Sequence, residues 1–146
     1  MITRSIIAIL TLFMACSVNA DNPQGVSINT ILDTTNSWNG KTLPNNVRNT
    51  VTEIVVQPGI TSGIHKHPLN GVGYVLEGEL TMFVTENENG DFSDPSKVSK
   101  IIVHAGETWS GAVNTWTYAQ NNGDKPAKFT VTYIGDADLP TSIPLK

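Results

Sequence analysis

After residue 20 the chain contains no stretch of ten or more residues in which apolar side chains recur with the 3.6-residue period of a helix. Short runs suited to strands take its place, at 26–34, 49–57, 63–68, 72–76, 79–85, 98–103, 108–110, 115–120 and 128–134. In the second run Val51, Glu53 and Val55 fall on one face, and Thr52, Ile54 and Val56 on the other. Between the runs lies turn chemistry: Ser37-Trp38-Asn39-Gly40, Leu43-Pro44-Asn45-Asn46, Pro58-Gly59, Glu77-Gly78 and Asn121-Asn122-Gly123-Asp124. The acidic, Asn-rich stretch 86–95 reads as a solvated hairpin loop. Strands at this spacing with no helices between them predict an all-β, antiparallel sandwich or barrel. At 146 residues there is enough chain for one domain and not for two.

Composition narrows the class further. Apolar residues at 39% and charged residues at 15% suit a packed core rather than a disordered tail. The net charge is −4 and no Lys/Arg cluster occurs, so a phosphate backbone is a poor partner and nucleic acid is discounted. The first twenty residues differ from the rest. Arg4 gives a positive start, residues 6–16 are apolar, and Val18-Asn19-Ala20 offers the small residues a signal peptidase reads. Eleven apolar residues are too few to cross a bilayer, which takes about 20. We therefore expect a signal peptide over 1–20 and a single domain over 21–146, secreted or periplasmic, with no membrane span after cleavage. A buried N-terminal element is the alternative. Cys16 would be removed with the signal, leaving neither disulfide nor thiol chemistry. Lipidation at Cys16 is less favoured, because Phe13 stands where such signals usually place Leu.

The chemistry concentrates in one segment, Pro58-Gly59-Ile60-Thr61-Ser62-Gly63-Ile64-His65-Lys66-His67-Pro68, followed by Gly73-Tyr74-Val75-Leu76-Glu77-Gly78-Glu79-Leu80. In a strand, His65 and His67 share a face with Thr61 and Gly63, while Ile64 and Lys66 take the other. An unpaired lysine rarely faces inward, so the histidine face is expected to be the interior one. Two imidazoles side by side make half of a metal site. Alternatively, they are hydrogen-bonded barrel residues without a metal. Some partner must meet them, since unpaired burial costs several kcal/mol. His104 reads as a surface histidine. Glu77, Glu79 and Glu107 sit beside turn glycines and are expected to face solvent. No nucleophile motif and no phosphate-cradling loop occurs.

This pattern resembles the first motif of the cupin superfamily. A weaker second motif appears as Ala105-Gly106-Glu107-Thr108-Trp109, then Val113-Asn114-Thr115-Trp116, then Asn121. The resemblance runs from about Val26 to Pro140 and is closest to small, single-domain, secreted members (cupin type-2-like), with the conserved barrel over about 47–135. It implies a double-stranded β-helix, or jelly-roll barrel, whose inward ligands hold a divalent transition metal, Fe, Mn, Ni, Zn or Cu. Only His65 and His67 stand at ligand positions. Where the family often has a Glu, this chain has Gly71 and Val72; where its later histidine falls, Thr117; where relatives carry an acid, Gly111. Asn70, Tyr74, Thr117 and water would complete at most a weak site. Asn70, Tyr74, Trp116 and Thr117 are the expected pocket residues.

Three functions follow. The first is binding of a small-molecule ligand in the barrel, with or without a metal at His65 and His67. The second is the metal-dependent dioxygenase, oxidoreductase or isomerase that cupins often are. The third is a non-catalytic interaction barrel. Cupins often pair through sheet edges, so a homodimer is a further expectation.

Overall fold

The computed structural model describes residues 23–146, so the expected signal peptide and Cys16 lie outside the described residues. Ten strands follow in order: β1 (Val26–Thr34), β2 (Val47–Val56), β3 (His65–Lys66), β4 (Gly71–Glu77), β5 (Glu79–Thr85), β6 (Val98–His104), β7 (Thr108–Ser110), β8 (Trp116–Gln120), β9 (Ala127–Asp136) and β10 (Ile143–Pro144). They form two five-stranded sheets, β1-β2-β9-β4-β7 and β10-β3-β8-β5-β6, and every strand pair is antiparallel. Consecutive strands switch between sheets repeatedly, as a double-stranded β-helix requires. Among the described residues no helix is long and apolar enough to cross a membrane.

Alternation dictates which side of each sheet is dry. On β9, Ala127, Phe129, Val131 and Tyr133 are buried and face the second sheet. Their β2 partners are Val56, Ile54, Thr52 and Thr50, the face expected from the alternation of that run. Leu80, Met82, Val103 and Ala119 close the core from the other sheet. A bulge between Thr30 and Leu32 turns β1 over at its end, so Leu32 lies opposite outward Val51.

Two short strands depart from the sequence pattern. Over 63–68 only His65 and Lys66 pair as a strand, with His67 in an isolated bridge to Val113. Pro68 lacks a ladder donor, and the Gly63 carbonyl is taken by a side chain. The strand β10, too short to show a period, was not expected.

Asn121, the last residue of the second motif, is fully buried. Its amide donates to the Val56 and Lys125 carbonyls, and its Oδ1 accepts from the Gly123 amide. One side chain thereby fixes the turn between β8 and β9 against the end of β2.

Candidate functional site

Three elements bring the site together. His65 lies on β3 opposite Thr117 of β8, and His67 follows two residues on. Tyr133 projects inward from β9. The imidazole centroids are 4.7 Å apart in a T-shaped arrangement, and the Tyr133 ring lies 5.1 Å from His67. The two histidines expected to share a face do so.

Hydrogen bonds assign the tautomers. His65 Nδ1 lies 3.0 Å from the Gly63 carbonyl and His67 Nδ1 2.6 Å from the Thr141 carbonyl. A carbonyl only accepts, so each Nδ1 donates and each neutral ring keeps a lone pair on Nε2. Tyr133 donates to His67 Nε2 at 3.5 Å, the outer limit of such a bond. Among the described residues His65 Nε2 has no hydrogen-bond partner, and the sealed side-chain atom left without one is Arg48 Nε. His65 Nε2 is therefore an open acceptor within reach of solvent.

Burial sets the charge state. It lowers the pKa of His65, and it pushes His67 down to about 4, with the neighbouring His65 adding to the effect. Burial also raises the Tyr133 hydroxyl well above its usual range. At neutral pH the cluster holds two neutral imidazoles and a neutral phenol.

The interior beyond them is filled. Gly71 and Gly73 face inward on β4, where a Cβ would come within 2.7 Å of the Tyr133 ring and 2.1 Å of the Trp109 indole. The glycines let the two aromatics lie directly on the strand. Trp109 stacks edge-on to Phe129 at 5.6 Å.

Of the expected pocket residues, the structure brings only Thr117 to the histidines' face, and its hydroxyl is taken by the Phe83 carbonyl. Tyr74 is 43% exposed on the opposite side of β4, because the inward positions belong to Gly73 and Val75. Trp116 lies on the outer face of β8, its Nε1 donating to the Glu88 carbonyl and Lys66 above its ring. Asn70 is an exposed loop residue near Ser110. Closeness in sequence to a motif does not fix the face a side chain takes. Tyr133 is the site residue missed; the signal for it was the inward Gly71 of β4, which calls for a large partner opposite.

A divalent metal fits this donor set only in part. The histidine tautomers are those metal ligands use, with Nδ1 anchored and Nε2 free. But two nitrogens and a neutral phenol fall short of the three or four protein ligands such centres usually have. Among the described residues no group of three or more His, Cys, Asp or Glu could hold an ion. The described residues do not complete a metal centre.

A two-sheet antiparallel barrel with a paired-histidine strand facing its interior defines a jelly-roll protein of the double-stranded β-helix class. The Cupin family model matches residues 18–138, and the chain belongs to the cupin family. No curated protein matches the sequence. Among solved structures, recombinant oxalate oxidase in complex with glycolate aligns at a TM-score of 0.62 and 24% identity, over 86% of this chain and 58% of that one. The Lactobacillus farciminis oxalate decarboxylase formate complex aligns at 0.60 and 19%, over 84% and 32%. The Bacillus subtilis oxalate decarboxylase, whose structure concerns its Mn(II) centres, aligns at 0.61 and 22%, over 84% and 29%. At these identities the likeness is one of fold. The chain spans less than two thirds of each of these proteins.

Proposed function

We propose that the protein is an exported cupin, periplasmic or secreted, that binds a small neutral molecule bearing a hydroxyl or N–H group at the His65–His67 pair. The observation that carries this reading is the Nε2 of His65, without a hydrogen-bond partner among the described residues and a neutral acceptor at the barrel interior. A neutral imidazole accepts a hydrogen bond but gives an anion no counter-charge. Small carboxylates, such as the glycolate and formate in the neighbouring structures, are poorly served here without a metal. The export part rests on residues 1–20 alone.

Calorimetric titration of the protein with polyols and hydroxylated amides tests the reading. Replacing His65 by Phe, which keeps a ring but removes the acceptor, should weaken binding about 10-fold or more, the cost of an unmade buried hydrogen bond. Unchanged affinity in that variant would refute it.

A metal-dependent cupin enzyme is the second reading. Family membership, the metal-ligand tautomers of both histidines and the Mn(II) centres of the Bacillus subtilis protein favour it. Stoichiometric iron, manganese, nickel, zinc or copper in purified protein, lost in His65→Ala, would favour this reading over the first.

A further inference from the structure

Trp38 is 98% exposed, the extreme among the large apolar side chains of the described residues. An indole has a large apolar surface whose burial would stabilise the fold. Its turn nevertheless holds it out on a fixed support. The Ser37 amide donates to the Lys41 carbonyl at 2.7 Å and the Gly40 amide to the Ser37 carbonyl, while the Ser37 hydroxyl bonds both Asn39 and the Lys41 carbonyl. Gly40, at φ 80°, supplies the left-handed backbone that closes the turn. Leu43 donates to the Thr35 carbonyl and fastens the far end just beyond β1.

Beside the indole lies a groove of about 510 Å³, within the ~300–1,000 Å³ range of small-ligand sites. Leu32 and Leu43 give it an apolar wall, and Thr34, Asn36 and Asn49 add a hydroxyl and two amides. Thr34 and Asn49 are cross-strand partners on β1 and β2. Among the described residues the side-chain amides of Asn36 and Asn49 have no hydrogen-bond partner, and no Asp, Glu, Lys or Arg lines the groove.

We propose that this groove binds a neutral oligosaccharide, one pyranose ring lying on the Trp38 indole and its hydroxyls meeting the two amides. A pyranose has a face of C–H groups, which suits the electron-rich face of an indole, and a rim of hydroxyls that both donate and accept. A side-chain amide also does both, so Asn36 and Asn49 match that rim as a carboxylate or an ammonium alone would not. An anion would find no counter-charge here, and an anionic lipid surface would meet a chain of net charge −4. Because the turn is already fixed, little ordering entropy opposes binding. The groove lies on the outer face of its sheet, whereas His65 and His67 face the barrel interior, so it does not rest on the ligand proposed for that pair.

Titration of the purified protein with cellotetraose, maltotetraose and tetra-N-acetylchitotetraose, read by calorimetry and tryptophan emission, tests this. Saturable binding of at least one of them is expected, with a dissociation constant at or below about 1 mM. Trp38→Ala should weaken it at least tenfold, and Asn49→Leu, similar in size but without the amide, should weaken it about tenfold, both with unchanged circular dichroism. His65→Phe should leave the isotherm unaltered. Absence of binding by all three sugars at about 10 mM would overturn the proposal. Binding that Trp38→Ala leaves intact would overturn it too, and if His65→Phe abolishes that binding, the sugar belongs to the barrel interior. An indole emission that shifts on raising protein concentration alone, or on adding phosphatidylcholine–phosphatidylglycerol vesicles, with no response to sugar, would overturn it in favour of a second copy or a lipid surface.

Discussion

His67 is the residue on which protonation weighs most. Burial and the adjacent His65 hold its pKa at about 4, against 6.5 in an unfolded chain. Between those two values the unfolded state binds the extra proton, so stability is fully present above pH 6.5, falls as pH drops towards 4, and levels off below. The span is worth on the order of 3 kcal/mol. Urea unfolding across pH 4–7 should show this slope, and it should flatten in His67→Asn, whose amide nitrogen still donates to Thr141 but does not titrate. An equal slope in both proteins would show that another group is responsible. The His65–His67 pair was legible in the sequence because alternation and the neighbouring Lys66 fix the face. The protonation states were not, since they depend on carbonyls brought in from Gly63 and from Thr141, the latter 74 residues downstream.

At the scale of elements, β4 and its two inward glycines explain why the barrel is filled beside the histidines. In Gly73→Ala the new methyl would occupy the place of the Trp109 indole, and that strain should destabilise the fold by about 1–3 kcal/mol. Trp109→Leu alone should also destabilise, by loss of packing. Because both changes act on one space, the double variant should be more stable than the sum of the two predicts, by about 0.5–3 kcal/mol. Strict additivity in thermal or urea unfolding would mean that strand and indole are not in contact. The strands themselves were readable, since period-two patterning and turn residues are local: β1, β5 and β7 fall where the sequence places them, and the other expected strands begin and end within about two residues, while β10 is too short to leave a pattern. The pocket was less so. Tyr74 and Trp116 sit beside motif residues in sequence, but the pleat sends them outward. Tyr133 reaches the site only because β9 pairs with β4, a pairing of distant segments.

Across the whole molecule, the C-terminal segment ties both ends of the site together. Ile143 lies opposite Lys66, Leu145 donates its amide to the Ile64 carbonyl, and the Thr141 carbonyl holds His67 Nδ1. The Leu145 side chain also lies against Gly90, in the loop beneath Trp116. This strap covers an edge of β3 and keeps water from His67. Removing residues 141–146 has two opposed effects on that ring: loss of the Thr141 carbonyl bond, which supports the protonated form, lowers its pKa, and the hydration gained raises it. Burial is the larger of the influences on His67, so the net movement is upward, from about 4 towards 6.5. Proton resonances of the His67 ring, followed by NMR against pH, should show the rise, and the Ile64 and Lys66 amides should lose protection against hydrogen exchange. A His67 pKa that stays near 4 in the shortened chain would mean that the sheets alone keep the ring dry, and that the strap fastens β3 without shaping the chemistry of the pair.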